Sequence, residues 1–270
     1  MFTFQTNKAE FIYHYTKSVT AIEYILNNGT LKFSSFSKTN DPKESKNWFF
    51  IPGTNENRDI TKYTPEYLSK ILNPYFKEST KLLCFSKDGD LTGNHMIDTP
   101  QRGFCKPRMW AQYGDNHAGV CLIFGFDRFT GLFHERFSQL TYKYGHVNYQ
   151  DRLIADVQTE QAFVINVDHL ERQGAKNYAY DHLSKYQDRL YFEKAKDWGN
   201  ESEFRFAVFE HKEELYFPFQ NALKGIVFGQ SCSEADISKI VRLTKNKGVE
   251  YQKLRWRNCT PWFEFERTKW

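Results

Sequence analysis

Glu201, Glu203 and Arg205 recur at every second position just after Trp198. In an extended chain such residues share one face, which sets the two carboxylates about 7 Å apart beside an arginine. That row can bracket a small polar ligand, or it can be a cross-strand ion-pair ladder on a solvated edge. Three earlier clusters also carry polar groups where a plain core would not need them. Tyr13-His14-Tyr15-Thr16 alternates aromatic rings with an imidazole and a hydroxyl. Phe33-Ser34-Ser35-Phe36 leads into Asn40-Asp41-Pro42-Lys43-Glu44. Cys84-Phe85-Ser86 precedes Met109-Trp110-Ala111-Gln112-Tyr113 and His117-Ala118-Gly119.

The elements that would position these groups follow from periodicity. Strands are expected at 11–16, 31–36, 81–86, 119–126, 203–209, 225–228, 249–256 and 262–267. Helices are expected over 18–28, over 107–116, and over 168–196 as one long or two shorter helices, the only place for a break being Gly174. Thr64-Pro65 caps another, which Pro74 should kink or end. Ser233 with Asp236 resembles a capping box opening a helix to Gly248. The stretches 52–58 and 87–103 read as polar loops, and the second could cover a site. Strands and helices are interspersed without a strict βαβ repeat, so the expectation is one α+β domain over residues 1–270.

Composition agrees with a folded domain. Of 270 residues, 40% are hydrophobic and 26% charged, which excludes a disordered chain, and 25 are Phe, which favours a sheet-rich core. No stretch has the length and apolarity of a membrane span, and the first residues lack a signal-peptide pattern. Five cysteines without C-x-x-C spacing argue against a disulfide framework or a zinc ribbon and for a reduced, cytoplasmic setting. There is no Rossmann or P-loop glycine pattern, no G-x-S-x-G and no H-E-x-x-H. A net charge of +4 neither demands nor excludes nucleic acid. The C-terminal part, 233–267, is locally basic. Within it, from Lys239 to Arg257, the cations Lys239, Arg242, Lys245, Lys247, Lys253, Arg255 and Arg257 face a single acid, Glu250, and could contact phosphates or be an ordinary solvated face.

YHYT, FS…NDPxE, CFS, MWxxYxxxHxG and WxxExExR in this order resemble a bacterial family, domain of unknown function 2971. The resemblance runs from about Tyr13 to Phe228. More loosely, His14 and Thr16 with Ile22, Ile25, Leu26 and Gly29 resemble the first motif of ADP-ribosyltransferases, in particular their DNA-modifying branch. Glu201-Ser202-Glu203 resembles the last. The implied fold is a split, twisted mixed sheet with flanking helices.

The implied activity is transfer of ADP-ribose from NAD to a nucleic acid or protein, or hydrolysis of NAD, and the implied setting is anti-phage defence or a toxin system. NAD would be substrate, and no metal would be required. Glu203 would stabilise an oxocarbenium-like state, Glu201 would orient the acceptor, and His14 and Thr16 would hold the ribose. The remaining NAD contacts would come from Tyr13, Tyr15, Ser34, Asn40, Ser86, Trp110, Tyr113, His117 and Arg205. Trp110, Tyr113 or Tyr15 would stack on the nicotinamide, and Arg205, or another basic residue, would pair with the pyrophosphate. Two alternatives stay open: a non-catalytic ligand-sensing domain, and a metal-dependent nuclease using Asp41, Glu44, Glu201 and Glu203.

Overall fold

The structure is a computed structural model that describes residues 10–258 and 260–263. Its centre is a nine-stranded mixed sheet. In chain order the strands are β1 (Phe11–Thr16), β2 (Ser34–Ser35), β3 (Lys81–Ser86), β4 (Val120–Gly125), β5 (Tyr142–His146), β6 (Glu203–Val208), β7 (Leu223–Phe228), β8 (Glu250–Arg257) and β9 (Thr260–Phe263). The spatial order is β9-β8-β7-β4-β1-β3-β6-β5, with β2 added beside β3. Only β7 and β8 run parallel among these pairs; the others are antiparallel.

The sheet is two ribbons joined at one point. β1 pairs with β4 along its full length, from Phe11↔Gly125 to Thr16↔Val120, and β6 pairs with β3 from Glu203↔Ser86 to Val208↔Lys81. Between β1 and β3 the register holds one pair, Tyr13↔Ser86. Beyond that pair the strands diverge and leave a wedge.

One face of the sheet carries a continuous aromatic and aliphatic core containing Ile12, Phe85, Phe124, Phe204, Phe206 and Phe228. It is covered in part by a helix over Phe126–Phe137, whose Phe129, Leu132, Phe133 and Phe137 are buried. The expectation did not include that helix, although its i, i+3, i+4 apolar spacing is present in the sequence. The opposite face is divided. Phe36, Phe50, Phe76, Ala207 and Tyr191 pack over the β3–β6 ribbon. Tyr13, Tyr15, Phe104, Trp110, Cys121 and Val227 pack over the β1–β4–β7 ribbon. The wedge lies between these two clusters, where neither supplies enough hydrocarbon to fill it.

Local signals largely explain the flanking pieces. Thr64 Oγ1 accepts the backbone N–H of Tyr67 at 3.2 Å and starts the helix Pro65–Asn73. The α-helix ends at Pro74, as expected, and the chain widens there into a π-helical turn, Pro74–Glu78. The segment after β1 is likewise only briefly α, over Ser18–Thr20, and then π over Ala21–Leu26. The helix Val167–Tyr191 breaks at Gly174, where φ is +75°. Ser233 Oγ caps Glu234–Thr244 by accepting the Asp236 N–H at 3.1 Å, while Asp236 itself accepts from Ser18 rather than closing a box.

Four cysteines, Cys84, Cys105, Cys121 and Cys232, are free; the expected strand at 262–267 is described only as far as residue 263. Among the described residues no helix is long and apolar enough to cross a membrane.

Gly229 makes a sharp test of this packing. A Cβ there would sit 2.1 Å from the His117 carbonyl oxygen, a backbone atom that cannot rotate away. Gly229→Ala is expected to cost about 1–3 kcal/mol, read as a lower urea midpoint at unchanged m-value.

Candidate functional site: a buried ion network in the sheet wedge

The wedge between β1 and β3 opens into a cavity of about 290 Å³. The register builds its floor. Tyr13 opposes Ser86, and Ser86 opposes Glu203, so these three form a row on one face; Arg205 opposes Cys84 in the next row. From above, the short helix Pro107–Gln112 contributes Met109, and the residue after it, Tyr113, stands four positions on. Ser34, Asn40 and Glu44 close a third side, with Lys32 and Lys38 exposed beside them.

The expected E-x-E row differs in one respect. Only Glu203 belongs to the strand. Glu201 ends a 3₁₀ helix, Lys196–Glu201, and Ser202 between them is left-handed at φ +45°. The two carboxylates converge through Lys194, which donates to Glu201 Oε2 and contacts Glu203 Oε2, each at 2.8 Å. Tyr113 donates its hydroxyl to Glu201 Oε1 at 2.9 Å.

Arg205 holds Glu203 through Nε at 2.5 Å and Nη2 at 3.1 Å, donates Nη1 to the Tyr191 carbonyl at 2.5 Å, and touches Glu44 through Nη2. It is wholly buried. Its guanidinium is therefore engaged within the protein, which corrects the expectation that Arg205 itself would grip a pyrophosphate; the exposed cations on the lining are Lys32, which pairs with Glu214, and Lys38.

These contacts set the charges. Burial opposes ionisation of Glu203, but Arg205 and Lys194 outweigh it and hold the carboxyl down to about 2. Glu44, buried with weaker compensation from Arg205 and Lys194, moves the other way, above its ordinary value. Burial pushes the Cys84 thiol up, with Glu203 adding to the effect, so this cavity-lining cysteine stays a thiol. Lys194 is raised despite its burial because Glu203, Glu44 and Glu201 surround it.

The linkage predicts a stability profile. Glu203, depressed from 4.5 to about 2, contributes stability that is complete above pH 4.5 and lost as the pH falls through about 2. Glu44, raised, works with the opposite sign. Urea midpoints measured across this range should fall on acidification, and Glu203→Gln should flatten that limb.

His14 alternates away from the Tyr13–Ser86–Glu203 row and lies 5.7 Å from the ring of Phe85. The divergence of β1 and β3 nevertheless gives it a place in the cavity lining. Its Nδ1 lies 3.2 Å from the Cys84 carbonyl, which can only accept, so Nδ1 carries the proton. Burial lowers its pKa and favours the neutral ring, which leaves Nε2 as an acceptor. Ser86 Oγ is buried without a hydrogen-bond partner, in the row beside Glu203.

Of the expected site residues, Tyr13, His14, Tyr15, Ser34, Asn40, Ser86, Tyr113, Glu201, Glu203 and Arg205 line this one cavity. Three do not. Thr16 is buried beyond it, its carbonyl 2.3 Å from where a Cβ on Gly119 would lie. Trp110 is fully buried, donates Nε1 to the Phe104 carbonyl at 2.8 Å and packs edge-on against Tyr15. His117 stacks over Trp110, and its carbonyl accepts from Ser231, tying two loops together. Trp110 is thus a core piece, whereas His117 is half-buried at the edge of that cluster.

Tyr15 lends only part of its ring, because its hydroxyl donates to the Gly103 carbonyl at 2.6 Å. The 87–103 loop, clasped by Asp88 to Arg102 and to the Gly103 N–H, contributes no residue to the lining.

Sequence reading overlooked Lys194 and gave Glu44 only a metal-binding role. Lys194 stands on a two-residue strand, Glu193–Lys194, too short for a periodic signal. Asp41 is a helix cap, its Oδ1 accepting the Lys43 N–H at 2.9 Å. The other three acids of the metal reading face Lys194 or Arg205, and among the described residues no group of three or more His, Cys, Asp or Glu is placed to hold a metal ion.

In the basic C-terminal part, Lys239, Arg242, Lys245, Lys247 and Arg257 are exposed, whereas Lys253 donates to Glu234 at 2.8 Å.

No curated protein and no solved structure matches the chain. Residues 109–206, the stretch that holds Met109, Tyr113, Lys194, Glu201, Glu203 and Arg205, match the model of a family described as a protein of unknown function (DUF2971), which supports the resemblance to that family.

Proposed function

We propose that the wedge cavity binds the nicotinamide-ribose half of NAD and that the protein cleaves the bond between them, passing ADP-ribose to a macromolecule or to water. The observation that carries this reading is the pairing of an ionised, immobile carboxylate, Glu203, with an unpartnered hydroxyl, Ser86, on the floor of one cavity. A space of about 290 Å³ suits one ring and one sugar, not a whole dinucleotide, so the remainder would lie across the mouth.

Each group then has a task. As the bond to nicotinamide breaks, positive charge develops on the ribose, and a fixed carboxylate in a water-poor site stabilises it. The Nε2 of His14 accepts a ribose hydroxyl and orients the sugar. The ring of Tyr113 offers a face for the nicotinamide, a contact worth about 0.5–2 kcal/mol for a cationic ring. Lys38 meets the diphosphate at the rim. An acceptor carrying phosphates would find Lys239, Arg242, Lys245 and Lys247, and its binding would weaken with salt.

Incubating the protein with NAD labelled in the adenosine part and with cell extract tests the reading. Transfer of label to macromolecules, or release of free ADP-ribose, is expected; intact NAD would count against it.

A second reading is binding without turnover, as a ligand sensor. It is favoured by the closeness of Lys194 and Arg205, which already compensate the charge of Glu203. NAD bound without nicotinamide release would select it.

A further inference from the structure

Three carboxylates, Glu44, Glu201 and Glu203, meet only two cations, Lys194 and Arg205, in the buried network. The unmatched group can be identified. Glu201 has Tyr113 and Lys194, and Glu203 has Lys194 and two nitrogens of Arg205. Glu44 is 2% exposed and lines the cavity; Arg205 Nη2 pairs with its Oε1, and its Oε2 is buried without a hydrogen-bond partner.

The nearby Lys77 does not supply the missing charge. Its ammonium is turned to the carbonyls of Glu44 and Lys46 and lies 4.3 Å from the ring centre of Trp48. Burial also lowers it to about 7, against the pull of Glu44 and Asp41, so it is only partly charged at neutral pH. On its own short helix, Pro42–Ser45, Glu44 has Asp41, whose Oδ1 is engaged as the cap.

We propose that Glu44 carries a proton in the empty cavity and gives it up when a positively charged ring enters, so that the site selects a cation over its neutral isostere and releases a proton on binding it. This rests on the reading of the cavity as a nicotinamide-ribose site, where the substrate's ring is a cation and the product's is neutral. Ionised Glu44 would then complete the charge balance: three carboxylates against Lys194, Arg205 and the ring. Loss of charge on the ring returns the proton to Glu44, which favours release of the neutral product.

Calorimetry tests this with two probes, the N-methylnicotinamide cation and neutral nicotinamide, each in buffers of different ionisation enthalpy. The wild type should bind the cation at least about tenfold more tightly than nicotinamide and release protons as it binds, with the preference shrinking as the pH falls. Glu44→Gln should abolish the release and most of the preference while still binding nicotinamide; Glu44→Asp should retain the release.

Equal affinity for the two rings, no binding of either, or the same proton release from Glu44→Gln would overturn the proposal. Proton-linked cation binding without cleavage of NAD would leave it standing and sink the catalytic reading alone. Cleavage of NAD without proton-linked binding of the cation would do the reverse.

Discussion

Glu203→Gln is expected to lower NAD cleavage by about 10²–10³-fold or more while leaving the fold in place. The amide keeps the size of the carboxylate and one acceptor oxygen for Arg205 or Lys194, so the circular dichroism spectrum should not change. It removes the charge that would face the developing cation on the ribose. Substrate is gripped mainly by His14, Tyr113 and Lys38 on this account, so KM should move little and kcat should carry the loss. A fall in KM-determined affinity at constant kcat would mean that Glu203 only binds. Glu201→Gln, which leaves Glu203 paired with Arg205, should be milder.

Arg205→Leu is expected to have the largest effect on stability. The guanidinium is completely buried and is shared by Glu203, Glu44 and the Tyr191 carbonyl. Leucine leaves the charge of Glu203 and the carboxyl of Glu44 without the partner they share, and breaking a buried network from one side costs about 3–5 kcal/mol. For a chain of this length that corresponds to a melting point lower by roughly 10 °C. The double variant Arg205→Leu with Glu203→Gln should recover part of the loss, because it removes one of the stranded charges. Additive losses from the two substitutions would show that they do not act through one network.

Much of this site can be read from the chain, for identifiable reasons. Tyr13, Ser86 and Glu203 each sit in strands of strict alternation, so their shared face follows from a period of two once the strands pair. Thr64, Ser233 and Gly174 announce a cap, a cap and a break through chemistry confined to one or two residues.

What the chain hides is long-range or very short. Lys194 reaches Glu201 and Glu203 from a two-residue strand that has no period to detect. His14 enters the cavity only because β1 and β3 part after one register pair, a property of two strands and not of either. Trp110 and His117 share a dense motif with Met109 and Tyr113, and only helix phase and the loop that follows decide which of them face the wedge. The helix Phe126–Phe137 is different: Phe129, Leu132, Phe133 and Phe137 recur at helical spacing, so it is legible in the chain.

The most direct test is a crystal structure with a carbocyclic, cleavage-resistant analogue of NAD. The account places its nicotinamide and adjoining ring in the wedge, with a hydroxyl within hydrogen-bond distance of Glu203 or His14 Nε2 and the diphosphate near Lys38. An analogue seated elsewhere on the molecule, with the wedge still filled only by solvent, would contradict it.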